Sequence, residues 1–235
     1  MRLSPGGPHT PGCNARRQAH RHALDGHPAR GMAADAKWRS KMKDIFTGKF
    51  VRLSAFDPEE MSKAFARWNL NSEYFRLLNS SARPMKSAKS NIKWMEEEVA
   101  EMSLASYYFS IRTLAEDKLI GELGLDVVDW AGRDAFVGLG IGETEYWSKG
   151  YGTDIMNVLL RYAFTEINLK RVTLTVFEYN PRAIRSYEKV GFRQEGRRRH
   201  ALNREGQRWD ELYMGILREE WMELDHQAPG AGDGG

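Results

Sequence analysis

Two hydrophobic periods alternate along the chain. "FVRLSAF" (50–56) alternates apolar and polar positions as a strand does and runs into Asp57-Pro58, a helix start. From Pro58 to Leu78 the period lengthens. Met61, Phe65 and Trp68 fall at i, i+4 and i+7, the apolar face of an amphipathic helix, and the run has room for a second. "SNIKWMEEEVAEM" (90–102) reads as another helix, opened by Ser90. The strand period then returns in three runs, 107–114, 118–128 and 135–143, with turns at Glu116-Asp117 and Ala131-Gly132. A helix follows Gly152. "RVTLTVFEY" (171–179) is a strand rich in β-branched residues. "PRAIRSYEKV" (181–190) is a short helix, with Pro181 at its first position and Gly191 past its end. "FRQEGRRRHAL" and "QRWDELYMGIL" make a last hairpin around Asn203 to Gly206. This order predicts an α+β fold, a mixed and mostly antiparallel central sheet flanked by helices.

Composition narrows the chemistry. A hydrophobic fraction of 41% over 235 residues suits a folded core. No apolar run reaches the ~18 residues of a membrane span, and the basic N-terminus has no continuous apolar segment. The expected location is the cytoplasm. Cys13 is the single cysteine, and four of the six histidines (His9, His20, His22, His27) precede residue 44. A cysteine nucleophile, a Ser-His-Asp triad and a histidine-rich metal site are therefore hard to build in the folded part.

The net charge of +3 conceals a division. Residues 1–43 carry nine basic and two acidic residues, and the remainder carries 26 and 30. Residues 1–43, rich in Gly, Pro, His and Arg, read as a disordered basic tail. The folded domain is expected over 44–224 and a flexible tail over 225–235. The high pI belongs to the tail and does not mark the domain as a nucleic-acid binder.

The densest chemical signal is "EYWSKGYGTDIMNVLLRYAF" (145–164), where Gly150 and Gly152 stand at the mouth of an apolar-periodic run. A helix begins with unsatisfied N–H groups and a partial positive charge. Glycine lets a ligand approach those groups, and Lys149 adds a full charge, so the segment suits an anion such as a pyrophosphate. GxGxxG and GxxxxGK[ST] patterns do not occur, since "GLGIGE" has the wrong spacing and no helix directly after it.

Three motifs, "YWSKGYGTD" (146–154), "NPRAIRSYEKVGF" (180–192) and "EGRRR…GQRWDELYMGIL" (195–217), occur in an order and spacing that resembles the GNAT superfamily of acyl-CoA-dependent N-acetyltransferases. Within it the chain looks like the branch of ribosomal-protein alanine and spermidine N-acetyltransferases, with "ARWNLNSEYFRLL" (66–78) a weaker match. The resemblance spans roughly 48–221. It implies acetyl-CoA as acetyl donor, no metal, an amine acceptor that includes ribosomal or other protein N-termini, and possible homodimers. It places the CoA pyrophosphate on the loop of Trp147, Ser148, Lys149, Gly150, Tyr151, Gly152 and Thr153. Trp147 stands where the signature has Gln or Arg. Backbone groups of Ile141 and Gly142 would meet the pantetheine arm. Asn180 would bond the same arm, and Tyr187 would protonate the leaving thiolate.

The reaction so implied is direct transfer of acetyl to a primary amine in a ternary complex. The amine must be neutral to attack. Deprotonating an α-amine at pH 7 takes about 1 kcal/mol, and an alkyl amine of pKa near 10.4 takes roughly 4–5 kcal/mol. Some relatives carry a glutamate five residues before the Asn, where this chain has Thr175. Glu143 is the expected substitute base, with Glu122 on the neighbouring strand as the other candidate; each equally reads as a solvated edge carboxylate. Two other functions stay open: an acyl-CoA-binding sensor or interaction domain without turnover, and nucleic-acid association through residues 1–43.

Overall fold

In the computed structural model, residues 44–82, 85–100 and 105–227 are described. The expected tail over 1–43 and the last residues, 228–235, lie outside them. β1 (Val51–Ala55) leads to Asp57, whose carboxylate accepts N–H bonds from Glu59 and Glu60; with Pro58 in the first turn it starts α1 (Pro58–Trp68). Asn71 caps α2 (Ser72–Leu78) in the same way, and α3 (Ala88–Ala100) follows. Next come β2 (Ser106–Thr113), β3 (Leu119–Asp129), β4 (Asp134–Ile141), a 3-10 turn at Thr144–Tyr146 and α4 (Tyr151–Thr165). β5 (Arg171–Phe177), α5 (Pro181–Lys189), β6 (Arg193–Arg204), β7 (Gln207–Leu217) and α6 (Arg218–Gln227) complete the described chain.

The seven strands form one sheet in the order β1-β2-β3-β4-β5-β7-β6. Every neighbouring pair is antiparallel except β4 and β5. Those two run parallel and pair only at Asp134↔Arg171, Ala135↔Val172 and Phe136↔Thr173. Past that point they part, while β3 stays with β4 to Ile141 and β7 stays with β5 to Phe177. The α+β architecture is the one expected from the alternating periods.

Each face of the sheet has its own core. α4 buries Ile155, Met156, Leu159, Leu160 and Phe164 against one face. α1 to α3 cover the other with Met61, Trp68, Tyr74 and Met95. At ~25 cal/mol per Å2 of apolar surface removed from water, these side chains supply the main driving force for closing the layers.

Asp154 ties the α4 face to the start of the sheet. Its carboxylate accepts from the N–H groups of Lys49 (2.9 Å), Phe50 (2.7 Å) and Val51 (3.2 Å), more than a hundred residues away. Gly48 leaves the room: a Cβ there would stand 2.5 Å from Asp154 Oδ2.

Three features differ from the sequence reading. β5 ends at Phe177, because the chain turns there and Asn180 N–H donates to the Phe177 carbonyl at 2.8 Å. α6 continues to Gln227, past the expected domain end at 224, with Trp221 packed on Phe164 at 5.5 Å between ring centroids. The regular strand expected for "FRQEGRRRHAL" breaks at a bulge between Arg198 and Leu202, where His200 adopts φ 53°. Asp210 holds that bulge, accepting from His200 N–H at 2.8 Å and from Arg197 at 2.9 Å. The His200 amide, then Arg197, keep its carboxyl below the ordinary aspartate range.

Replacing Asp154 by Ala leaves three strand-start amides without their acceptor. The expected cost is about 3 kcal/mol, read as a lower urea midpoint at unchanged m-value.

Candidate active site

The parting of β4 and β5 opens a cavity of about 460 Å3. β4 forms one wall from Gly138 to Ile141, and β5 forms the other from Thr175 to Phe177. On these inner edges the two strands no longer serve each other's hydrogen bonds, so an amide-bearing ligand can take the place of the missing ladder.

The N-terminus of α4 closes one end. Ser148 and Gly150 both take left-handed backbone, φ 59° and 89°, and Gly150 is the N-cap. The chain thereby turns so that Ser148, Gly150, Gly152 and Thr153 face the cavity. The N–H groups of the first helical turn have no acceptor one turn back, and the helix dipole is positive there. Gly152 allows α5 to come close, since a Cβ there would lie 3.2 Å from Ser186 Oγ. Thr153 and Ser186 share a hydroxyl hydrogen bond of 3.0 Å across the two helices.

Trp147 fastens this loop to the wall. Its indole N–H donates to the Ile141 carbonyl at 2.7 Å, and the Arg182 guanidinium lies 3.8 Å from the ring centroid. The Ile141 carbonyl is thus engaged within the protein.

α5 supplies the other polar groups. Asn180 caps it, its side-chain oxygen accepting from Ala183 N–H at 3.2 Å, which leaves the carboxamide NH2 to offer a ligand. Tyr187 lies about two turns further on, lining the same cavity. Burial pushes its phenol up to about 12.

Of the residues singled out from sequence, Ile141, Trp147, Ser148, Gly150, Gly152, Thr153, Asn180 and Tyr187 meet at this cavity. Gly142, Glu143, Lys149 and Tyr151 do not line it. Gly142 donates its N–H to the Ile120 carbonyl at 2.8 Å, and a Cβ on it would come within 1.9 Å of the Trp68 ring. It is a packing glycine. Glu143 accepts from Trp68 Nε1 at 2.8 Å and from Arg67, with Lys118 at 4.0 Å. These partners hold its carboxylate away from the cavity. Lys149 is exposed, and the Tyr151 ring meets Tyr146 edge-to-face and Phe50 at a tilt. Sequence reasoning missed Tyr74, Leu77 and Leu78 of α2 and Arg182, Arg185 and Lys189 of α5. The spacing i, i+3, i+4 of the first three was visible, but it marks a core face as readily as a cavity wall.

Residues 51–193 match the acetyltransferase (GNAT) domain family. The chain belongs to the GNAT acetyltransferase family. It is 28% identical over 182 residues to the prophage-derived uncharacterized N-acetyltransferase YokL of Bacillus subtilis, covering 77% of this chain and 97% of that one. YdaF of the same organism, named provisionally as a ribosomal N-acetyltransferase, is 32% identical over 108 residues, 46% of this chain and 58% of the relative. The same fold occurs in spermidine N-acetyltransferase from Vibrio cholerae in complex with CoA and spermine, with a TM-score of 0.64 at 24% identity over 73% of this chain and 98% of that one. The protein is accordingly an acyl-CoA-dependent N-acetyltransferase, moving acetyl from acetyl-CoA to an amine. Among the described residues no cluster of three His, Cys, Asp or Glu could hold a metal, and no helix is long and apolar enough to cross a membrane.

Gly142→Ala forces a methyl into the Trp68 ring. The expected loss is about 2–3 kcal/mol, measurable as a lower thermal midpoint.

Proposed function

We propose that this acetyltransferase works by direct attack in a ternary complex, with the cradle from Trp147 to Thr153 holding the pyrophosphate of acetyl-CoA and Tyr187 acting as the acid. The observation that carries this reading is the placement of a buried phenol and an exposed helix N-terminus on one cavity between parted strands. The amides of α4, with Arg185 and Lys189 nearby, favour the anionic end of the donor. The inner edge of β4 and the Asn180 amide favour its amide-bearing arm.

Both reactants then sit in one site, which replaces a bimolecular encounter by a local one. The amine nitrogen attacks the thioester carbon, the N–C bond forms, and the C–S bond breaks with its electron pair on sulfur. Tyr187 gives that sulfur a proton. Its raised pKa keeps it in the acid form throughout the neutral range, and a thiolate near 8.5 is a good enough leaving group to need only a hydrogen bond or a late proton. No covalent acyl-enzyme is required. The acceptor class is a primary amine: a protein N-terminus, ribosomal ones included, or a small amine.

Tyr187→Phe is expected to bind CoA as tightly as the parent in calorimetry and to turn over about 100- to 1,000-fold more slowly. Turnover unchanged within two-fold would remove Tyr187 from the role of acid. With the phenol at about 12, no alkaline limb in kcat below roughly pH 10 should trace to it.

A further inference from the structure

Gly138 and Gly140 of β4, with Gly142 just past its end, fall on alternate positions and share the face turned toward α1 and α2. A Cβ on Gly142 would strike Trp68, and one on Gly138 would meet nothing within 4 Å. Between them, a Cβ on Gly140 would meet Leu78 Cδ1 and Tyr74 Oη at 3.2 Å and Glu122 Oε1 at 3.4 Å. The row is filled at one end and open at the other. Two oxygens converge on its middle, and Gly138, Gly140, Tyr74, Leu77 and Leu78 all border the main cavity.

Neither oxygen is satisfied by the protein. Tyr74 is 2% exposed and its hydroxyl has no hydrogen-bond partner. Among the described residues no hydrogen bond or ion pair engages the Glu122 side chain, which keeps part of its surface accessible. A buried hydroxyl without a partner lowers stability, so its retention here points to a ligand. The titratable group facing Glu122 is Tyr74. The cross-strand neighbours, Ser110 on β2 and Gly140 on β4, carry no charge. The carboxylates of Glu60 on α1 and Glu143 past β4 are taken by Arg112 and Arg67. Burial raises Glu122 to about 7, and burial together with the Glu122 charge holds the Tyr74 phenol well above its ordinary range.

We propose that Glu122 and Tyr74 form the seat of the acceptor's ammonium group, and that Glu122, not Glu143, takes its proton. This rests on the acetyl-transfer reading above. The cavity lining holds no Asp or Glu but includes Arg182, Arg185 and Lys189, and the seat itself lies beside Leu78, with Leu77 also lining the cavity. The acceptor is therefore an amine with one positive charge beside apolar carbon, and a polyamine is disfavoured. The protons balance. The ammonium gives one proton to the Glu122 carboxylate, which later releases it to solvent. The second leaves nitrogen as the amide forms and replaces the one Tyr187 gives to sulfur.

Ionised Glu122 is the active form, so the rate falls as pH drops through about 7. The test measures acetyl-CoA binding by calorimetry and amine-dependent thiol release from pH 5.5 to 9. The acceptors are phenethylamine, alanyl-leucinamide and spermidine. Parent protein, Glu122→Gln and Tyr74→Phe are compared; the last removes an unpartnered hydroxyl and so should fold. Both variants should bind acetyl-CoA like the parent. Glu122→Gln should lose about 100-fold or more in kcat/KM and its acid limb, and Tyr74→Phe should raise the amine KM several-fold. The parent should prefer the single-charge amines. An unchanged acid limb and rate in Glu122→Gln, or an unchanged amine KM in Tyr74→Phe, would overturn the seat while leaving acetyl transfer intact. A preference for spermidine would overturn the single-charge assignment. A parent that binds acetyl-CoA but releases no thiol to any amine would instead remove the transfer reading on which the seat rests.

Discussion

β4 and β5 stay paired for only three residues on each strand, and the site follows from that brevity. Backbone N–H and C=O groups kept from water without a partner cost about 1–3 kcal/mol each. A gap within a sheet can therefore persist only if both walls are anchored on their far sides. β3 anchors β4 to Ile141 and β7 anchors β5 to Phe177. The Trp147 indole adds a third anchor by taking the Ile141 carbonyl. What remains is an opening whose walls offer main-chain groups to a molecule that carries amides of its own.

The surroundings of the opening sort charge along it. The α4 amides, Arg185 and Lys189 make one region receptive to anions, whereas Leu77, Leu78 and the glycine face of β4 make another apolar. Two glutamates on adjoining segments show how environment assigns a role. Glu143 accepts from an indole and pairs with an arginine, which fixes it as a structural acceptor. Glu122 lacks such partners and is desolvated, so its proton affinity lies near neutrality.

The sequence disclosed the elements that periodicity and caps control. Asp57 and Pro58, the glycines at 150 and 152, and Pro181 with Gly191 each mark an element end that the structure keeps. It was mute where a residue's role depends on a partner far along the chain. Gly142 looked like ligand-facing backbone because nothing local reveals that Trp68 occupies its missing side chain. Nothing local to Asp154 in the first turn of α4 reveals that its acceptor oxygens serve Lys49 to Val51. The bulge at His200 escaped for the same reason, since Asp210 across the hairpin holds it. "REEWMELDHQ" carried little apolar periodicity, and α6 gains definition from Trp221 resting on Phe164.

The short β4–β5 pairing also divides the sheet into a four-strand and a three-strand portion joined along a narrow seam. A donor molecule seated across that seam, as proposed, would replace absent strand-to-strand bonds and so act as a rivet as well as a reactant. Saturation at a hundred times the dissociation constant adds about 2.7 kcal/mol to the folded state. The survival of such a protein in a cell, its turnover by proteases included, is then coupled to the metabolic supply of acetyl-CoA.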